Sequence, residues 1–174
     1  KEIDSGSIKT IWLLQANDGW AFGQDFRHWD GSSWTTVVQD AAFNVTTCAF
    51  PASNDGWAFG YQDSVYRYDG ATWAKSYTGL HHIDFCDFYD SNNGWVLGSG
   101  MTYRYQAGTW TPHSLNLPAY LGLGHRNSIS VSSPVEAWVS VLAYYSDPAR
   151  DSSYILKFSG GQWGIDTVLA NVWL

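Results

Sequence analysis

Apolar and polar residues alternate in short bursts along this chain, and the bursts recur. TIWLLQ, GWAFG, FRHW and SWTTVV, taken in order from the first repeat, are rich in β-branched and aromatic side chains and are separated by turn formers. No stretch carries the sustained periodicity of an amphipathic helix, so the pattern predicts strands and turns throughout. NDGWAFG at 17–23 returns unchanged at 54–60 and as NNGWVLG at 92–98, a spacing of 37 and then 38 residues. A second motif follows each: HWDGSSW (28–34), RYDGATW (67–73), RYQAGTW (104–110) and KFSGGQW (157–163). Trp20 thereby pairs with Trp34, Trp57 with Trp73, Trp95 with Trp110 and Trp138 with Trp163. In the fourth unit EAWVSV stands in place of DGWAFG, and both glycines are lost.

Four short strands in a period near forty residues are what a β-propeller blade requires. The expected fold is all-β: a single propeller domain over 1–174, with four blades of four antiparallel strands at about 8–39, 44–78, 82–115 and 126–169. NDG and WDG are expected to supply the positive φ that tight hairpins demand, and the tryptophans to fill the wedge between blades. Four units leave three closures open: a four-blade ring, part of a larger propeller, or two chains completing an eight-blade ring.

GWAFG followed by Y-x-Y-D-G-x-T-W resembles the repeats of bacterial propellers of the photosystem-assembly-factor and Asp-box (sialidase-like) superfamily, over nearly the whole chain. The resemblance implies a structural hairpin clasp rather than catalysis. Asp30-Gly31 and Asp69-Gly70 are adjacent here instead of separated, and Gln106 and Ser159 replace the aspartate in the other units.

Composition narrows the function. The 174 residues carry a net charge of −7 with nine Lys and Arg, too few and too scattered for a phosphate-binding surface, so no nucleic-acid partner is expected. No apolar run is long enough for a membrane span. The chain opens with Lys1 rather than Met, which implies a removed leader or an excerpted sequence. Cys48 and Cys86 occupy a slot that Ile11 and Ile129 fill in the other units, so both are expected to be apolar core residues and not a disulfide. Asn44-Val45-Thr46 is a glycosylation sequon, but it falls at the start of an inner strand, where a glycan would clash.

No catalytic set emerges. Carboxylates suited to glycoside hydrolysis are sparse, with Glu2 and Glu136 the sole glutamates, and neither a nucleophile elbow nor a P-loop is present. A sialidase-like site would need an arginine triad. The aligned cations His28, Arg67, Arg104 and Lys157 read instead as a solvated face of the third strand. The first strand of each blade carries Ser7, Asn44, His82 and His125 in one layer, then Lys9, Thr46, Asp84 and Asn127, then the apolar slot. Side-chain alternation puts these layers on one side, a polar mouth above an apolar plug. His82, Asp84 and His125 are the residues there with metal-ligand chemistry, without diagnostic spacing, so no metal and no cofactor are expected.

Long insertions mark the fourth unit, at 115–127 before it and 142–153 within it. Side by side they would gather Tyr120, His125, Arg126, Tyr144, Tyr145, Asp147, Arg150 and Asp151, rings beside hydrogen-bonding groups that suit a sugar or a peptide. An alternative role is to pack over the blade junction. The expected function is a non-catalytic, secreted or cell-surface recognition or assembly module with a carbohydrate or protein ligand. The alternatives are a piece of a larger sialidase-like glycoside hydrolase and a self-associating structural subunit.

Overall fold

Each hairpin of the repeat is built by a local device. At the third turn of the first two units an aspartate carboxylate closes the loop. Asp30 accepts from the backbone N–H of Ser32 and Ser33 (both 2.8 Å), and Asp69 from Ala71 and Thr72 (2.9 and 2.8 Å). Gly31 and Gly70 sit in these turns at φ 91° and 94°. The third and fourth units reach the same reversal with two residues of positive φ, Ala107-Gly108 and Gly160-Gly161. NDG works differently from the expectation. Gly19, Gly56 and Gly94 are not among the positive-φ residues, and what they provide is space. A Cβ on Gly19 would fall 2.5 Å from Leu13 Cδ2, on Gly56 2.5 Å from the Phe50 ring, and on Gly94 2.2 Å from the Phe88 ring. In the fourth unit the smaller Val131 stands opposite Ala137, so glycine is no longer needed.

The structure, a computed structural model, describes residues 7–39, 44–61, 64–77, 79–80, 82–98, 100–117, 122–123, 128–144 and 152–170. The first repeat forms β1 (Ile8–Gln15), β2 (Asp18–Gly23), β3 (Asp25–Trp29) and β4 (Trp34–Gln39). The second forms β5 (Val45–Ala52), β6 (Asp55–Gly60), β7 (Ser64–Tyr68) and β8 (Trp73–Tyr77). The third forms β9 (Phe85–Asp90), β10 (Asn93–Gly98), β11 (Met101–Gln106) and β12 (Thr109–Ser114). The fourth contains β13 (Gly122–Leu123), β14 (Ser128–Ser133), β15 (Glu136–Tyr144), β16 (Ser152–Ser159) and β17 (Gln162–Ala170). Every sheet is antiparallel and, apart from β13, meanders in sequence order, so the fold is a β-propeller with four blades of four strands. No helix among the described residues is long and apolar enough to cross a membrane.

The chain divides into two compact units, Lys1–Asp84 and Phe85–Leu174, with two blades in each. Their cores are built alike. In the first, Trp20 and Phe22 of β2 and Phe26 of β3 meet Cys48, Phe50, Tyr66 and Trp73 of the following blade. Trp73 stands edge-on to Trp20 at 5.4 Å. In the second, Trp95 and Leu97 of β10 meet Ile129, Leu156, Phe158 and Trp163, and Trp163 lies 5.1 Å from Trp95 at 69°. A tryptophan on one blade's second strand thus wedges against the tryptophan opening the next blade's fourth strand. The edge-to-face geometry is one that aromatic quadrupoles favour.

Cys48 is buried and Cys86 half-buried. Burial pushes the Cys48 thiol up to about 11. The cations of the third strand are not simply solvated. Arg67 lies 4.7 Å above the Trp57 ring and donates to Asp55 (3.2 Å), and Lys157 lies 4.8 Å above Trp138 and pairs with Glu136 (2.7 Å). His28 sits 4.6 Å from Trp20 and 2.8 Å from Asp18, and Arg104 covers Trp95 at 5.9 Å while donating to the Pro134 carbonyl (2.6 Å). Each blade therefore carries a basic side chain against the tryptophan of its second strand. In three blades a carboxylate two residues before that tryptophan holds the basic side chain in place.

Candidate functional site

The fourth blade departs from the repeat where its insertions enter. β15 has nine residues and β16 eight, against five or six for their counterparts in the other blades. The extra length includes Leu142 and Ala143, which continue the ladder opposite Ser153 and Ser152. The other insertion contributes β13. Gly122 pairs with Tyr144 and Leu123 with Ala143, alongside the ladder in which β14 pairs Ser128 with Ser140. A backbone bridge therefore joins the two longest insertions at one end of β15. Gly122 and Leu123 of one insertion thus pair with Tyr144 and Ala143 of the other.

Tyr144 contributes its backbone to that bridge. Tyr120, His125, Arg126, Tyr145, Asp147, Arg150 and Asp151 lie outside the described residues, as does Asn127. Chain connectivity places Tyr120 two residues before β13 and Tyr145 directly after β15.

Of the expected inner-strand site residues, Lys9, His82 and Asp84 belong to the first unit. Lys9 is exposed on β1. His82 and Asp84 precede β9 instead of opening it, and the stretch between blades is tied to the second blade: Ile83 N–H donates to the Gly60 carbonyl (3.3 Å). His82 is exposed at φ 47°, its ring 5.7 Å from that of Tyr61, and Asp84 is half-buried. Thr46 of the same layer does not open onto a mouth. Its hydroxyl is held by the Phe59 and Ile83 carbonyls, so it serves the backbone. No group of three or more His, Cys, Asp or Glu among the described residues is arranged to hold a metal ion.

Most carboxylates in this part of the chain are engaged structurally. Asp30, Asp69 and Asp90 cap turns, Asp18, Asp55 and Glu136 hold His28, Arg67 and Lys157 against tryptophans, and Asp87 accepts from the Val131 N–H of the next blade (2.7 Å). Turn hydrogen bonds from Ser33 and Ser32 lower the Asp30 carboxyl to about 2, and the Lys157 ammonium, helped by Ser132 and Trp138, lowers that of Glu136. Sequence reasoning missed the exposed apolar side chains of β1, β4 and β17, among them Ile11, Leu13, Val37, Ile165, Val168 and Leu169. An expectation that every apolar strand position is covered hides such residues.

No family profile and no curated protein matches the sequence. Solved structures do. YCF48 bound to D1 peptide aligns over 88% of this chain and 64% of its own at 14% identity, with a TM-score of 0.53. The Pan2 WD40 domain of Neurospora crassa aligns over 95% and 50% at 12% identity, TM-score 0.59. The extracellular domain of the one-component system BT4673 from B. thetaiotaomicron aligns over 97% and 29% at 10% identity, TM-score 0.60. This chain thus spans less than two thirds of the length of each of these structures. At such identities the likeness establishes the fold, and that fold is the β-propeller.

Proposed function

We propose that this chain is a non-catalytic recognition module that works outside the cytoplasm. Its ligand, a protein segment in preference to a carbohydrate, is held by the insertions of the fourth blade. The observation that carries the reading is the β13–β15 bridge, because it joins the insertion that carries Tyr120 to the one that carries Tyr144 and Tyr145. Structural use of the described carboxylates supports a non-catalytic role. The preference for protein draws on the peptide held by one structural neighbour, and the extracytoplasmic placement on the extracellular domain among the others. Asp30 and Asp69 as turn caps support the Asp-box resemblance.

A peptide display library and a glycan array test the reading side by side. Tyr144→Ala and Tyr145→Ala should each weaken binding of a selected peptide about tenfold or more with unchanged near-ultraviolet dichroism. Unchanged affinity in both variants would remove the ligand from this place. Turnover across a panel of aryl glycosides would refute the non-catalytic assignment.

A further inference from the structure

The strand that ends a blade must hand the chain onward, and two of these exits share a backbone device. The sixth residue after the tryptophan of the fourth strand is left-handed in both, Gly79 at φ 71° in the second blade and Asn116 at φ 55° in the third. A leucine that turns inward follows each. Leu80 is 2% exposed, and Leu117 packs against the core shared by the third and fourth blades. A Cβ on Gly79 would meet nothing within 4 Å, so space does not demand glycine at this exit. The third blade uses asparagine, whose short amide lets it adopt a left-handed backbone more readily than most residues.

That amide makes a contact no glycine could make. Asn116 Nδ2 donates to the Trp163 carbonyl of β17 (3.4 Å), and the Asn116 N–H donates to Ser114 Oγ (3.2 Å). Leu115, one residue earlier, is buried in the same core as Leu156, Phe158 and Trp163. The first insertion therefore leaves the third blade already fastened to the fourth. It is fastened again where Gly122 and Leu123 pair with β15, and in sequence only 118–121 separate the two attachments. Order fixed on folding does not have to be acquired on binding.

We propose that Asn116 is the positioning residue of the first insertion, fixing its start on the fourth blade so that β13 stands in place before a ligand arrives. The consequence for binding, a preformed place for a peptide, rests on the ligand reading above. The attachment itself does not.

Amide hydrogen exchange of the free protein reads the attachment, and the affinity of a selected peptide reads its consequence. Asn116→Asp keeps the size and the left-handed backbone but removes the donor, and Asn116→Gly keeps the backbone and removes the side chain. Both should exchange the Gly122–Leu123 amides about tenfold faster, with protection in β10 and β11 and near-ultraviolet dichroism unchanged. Peptide affinity should fall about fivefold or more in both. Unchanged exchange in both variants would overturn the proposal whatever the peptide does. Faster exchange with unchanged affinity would overturn it too, by leaving Asn116 a structural tie that the ligand ignores. Failure to select any peptide would sink the ligand reading and not the attachment, which the exchange rates then decide. Should Asn116→Asp fail to fold, Asn116→Gly carries the comparison.

Discussion

Single residues in this protein do jobs that their types do not announce. Asp30 is exposed, yet it organises a whole hairpin because its carboxylate accepts two backbone N–H groups that would otherwise lack acceptors within the loop. Its carboxyl falls from 3.8 to about 2, and Asp69, Asp90 and Glu136 shift in the same direction. A depressed folded-state value means the stabilisation is complete above the unfolded value and disappears as pH falls through the folded one. The melting temperature should accordingly hold steady above about pH 5 and drop between about pH 4 and 2, with a shallower drop in Asp30→Ala. Superimposable profiles for the two proteins would detach that turn from the acid response. Cys48 shows the converse effect, where burial alone keeps the thiol protonated. A thiol reagent at pH 8 should modify native Cys86 before Cys48, and equal rates would contradict the burial.

Within an element, the repeated motif is read by size more than by backbone freedom. Gly94 lies under Phe88, and the Val131–Ala137 pair of the fourth blade shows the same contact solved with a smaller lid and a larger floor. Gly94→Ala should destabilise the protein by about 1–3 kcal/mol through overpacking, and Phe88→Val added to it should recover part of that loss. Denaturant melts of the single and double variants check this, and a double variant worse than the sum would reject the pairing. The blade junctions differ in polarity in the same local manner. Trp163 donates its indole N–H to Thr102 Oγ1 (2.8 Å), while Trp73 Nε1 is buried without a hydrogen-bond partner against Phe26. Thr102→Val should cost about 1–3 kcal/mol by orphaning the Trp163 N–H, measured as a shift of the unfolding midpoint.

For the whole molecule, the strands, the blade order and the recurring tryptophan positions were legible in the sequence, because the chain states them four times; which tryptophans meet was not, since Trp20 contacts Trp73 and Trp95 contacts Trp163, each a blade away. TIWLLQ, GWAFG, FRHW and SWTTVV became β1 to β4, with ends within a residue or two of the expectation. Two long insertions around the fourth blade were legible from the sequence. Their bridge through Gly122–Leu123 was not, because a two-residue strand carries no periodicity. The cations read as solvated, since sequence spacing cannot say that a neighbouring strand places a tryptophan ring beneath them.

What the sequence by itself determined is the repeat: strand length, turn chemistry and the alternation that gives each blade two faces, all set by φ/ψ preference and local pairing. What only the tertiary structure decided is which of those faces is covered. Cys48 and Ile129 are buried and Ile11 is exposed at one repeat position, although all three are apolar and the pattern treats them alike. Burial is a property of whatever packs against a side chain, and that partner lies a whole blade away in the chain or outside it.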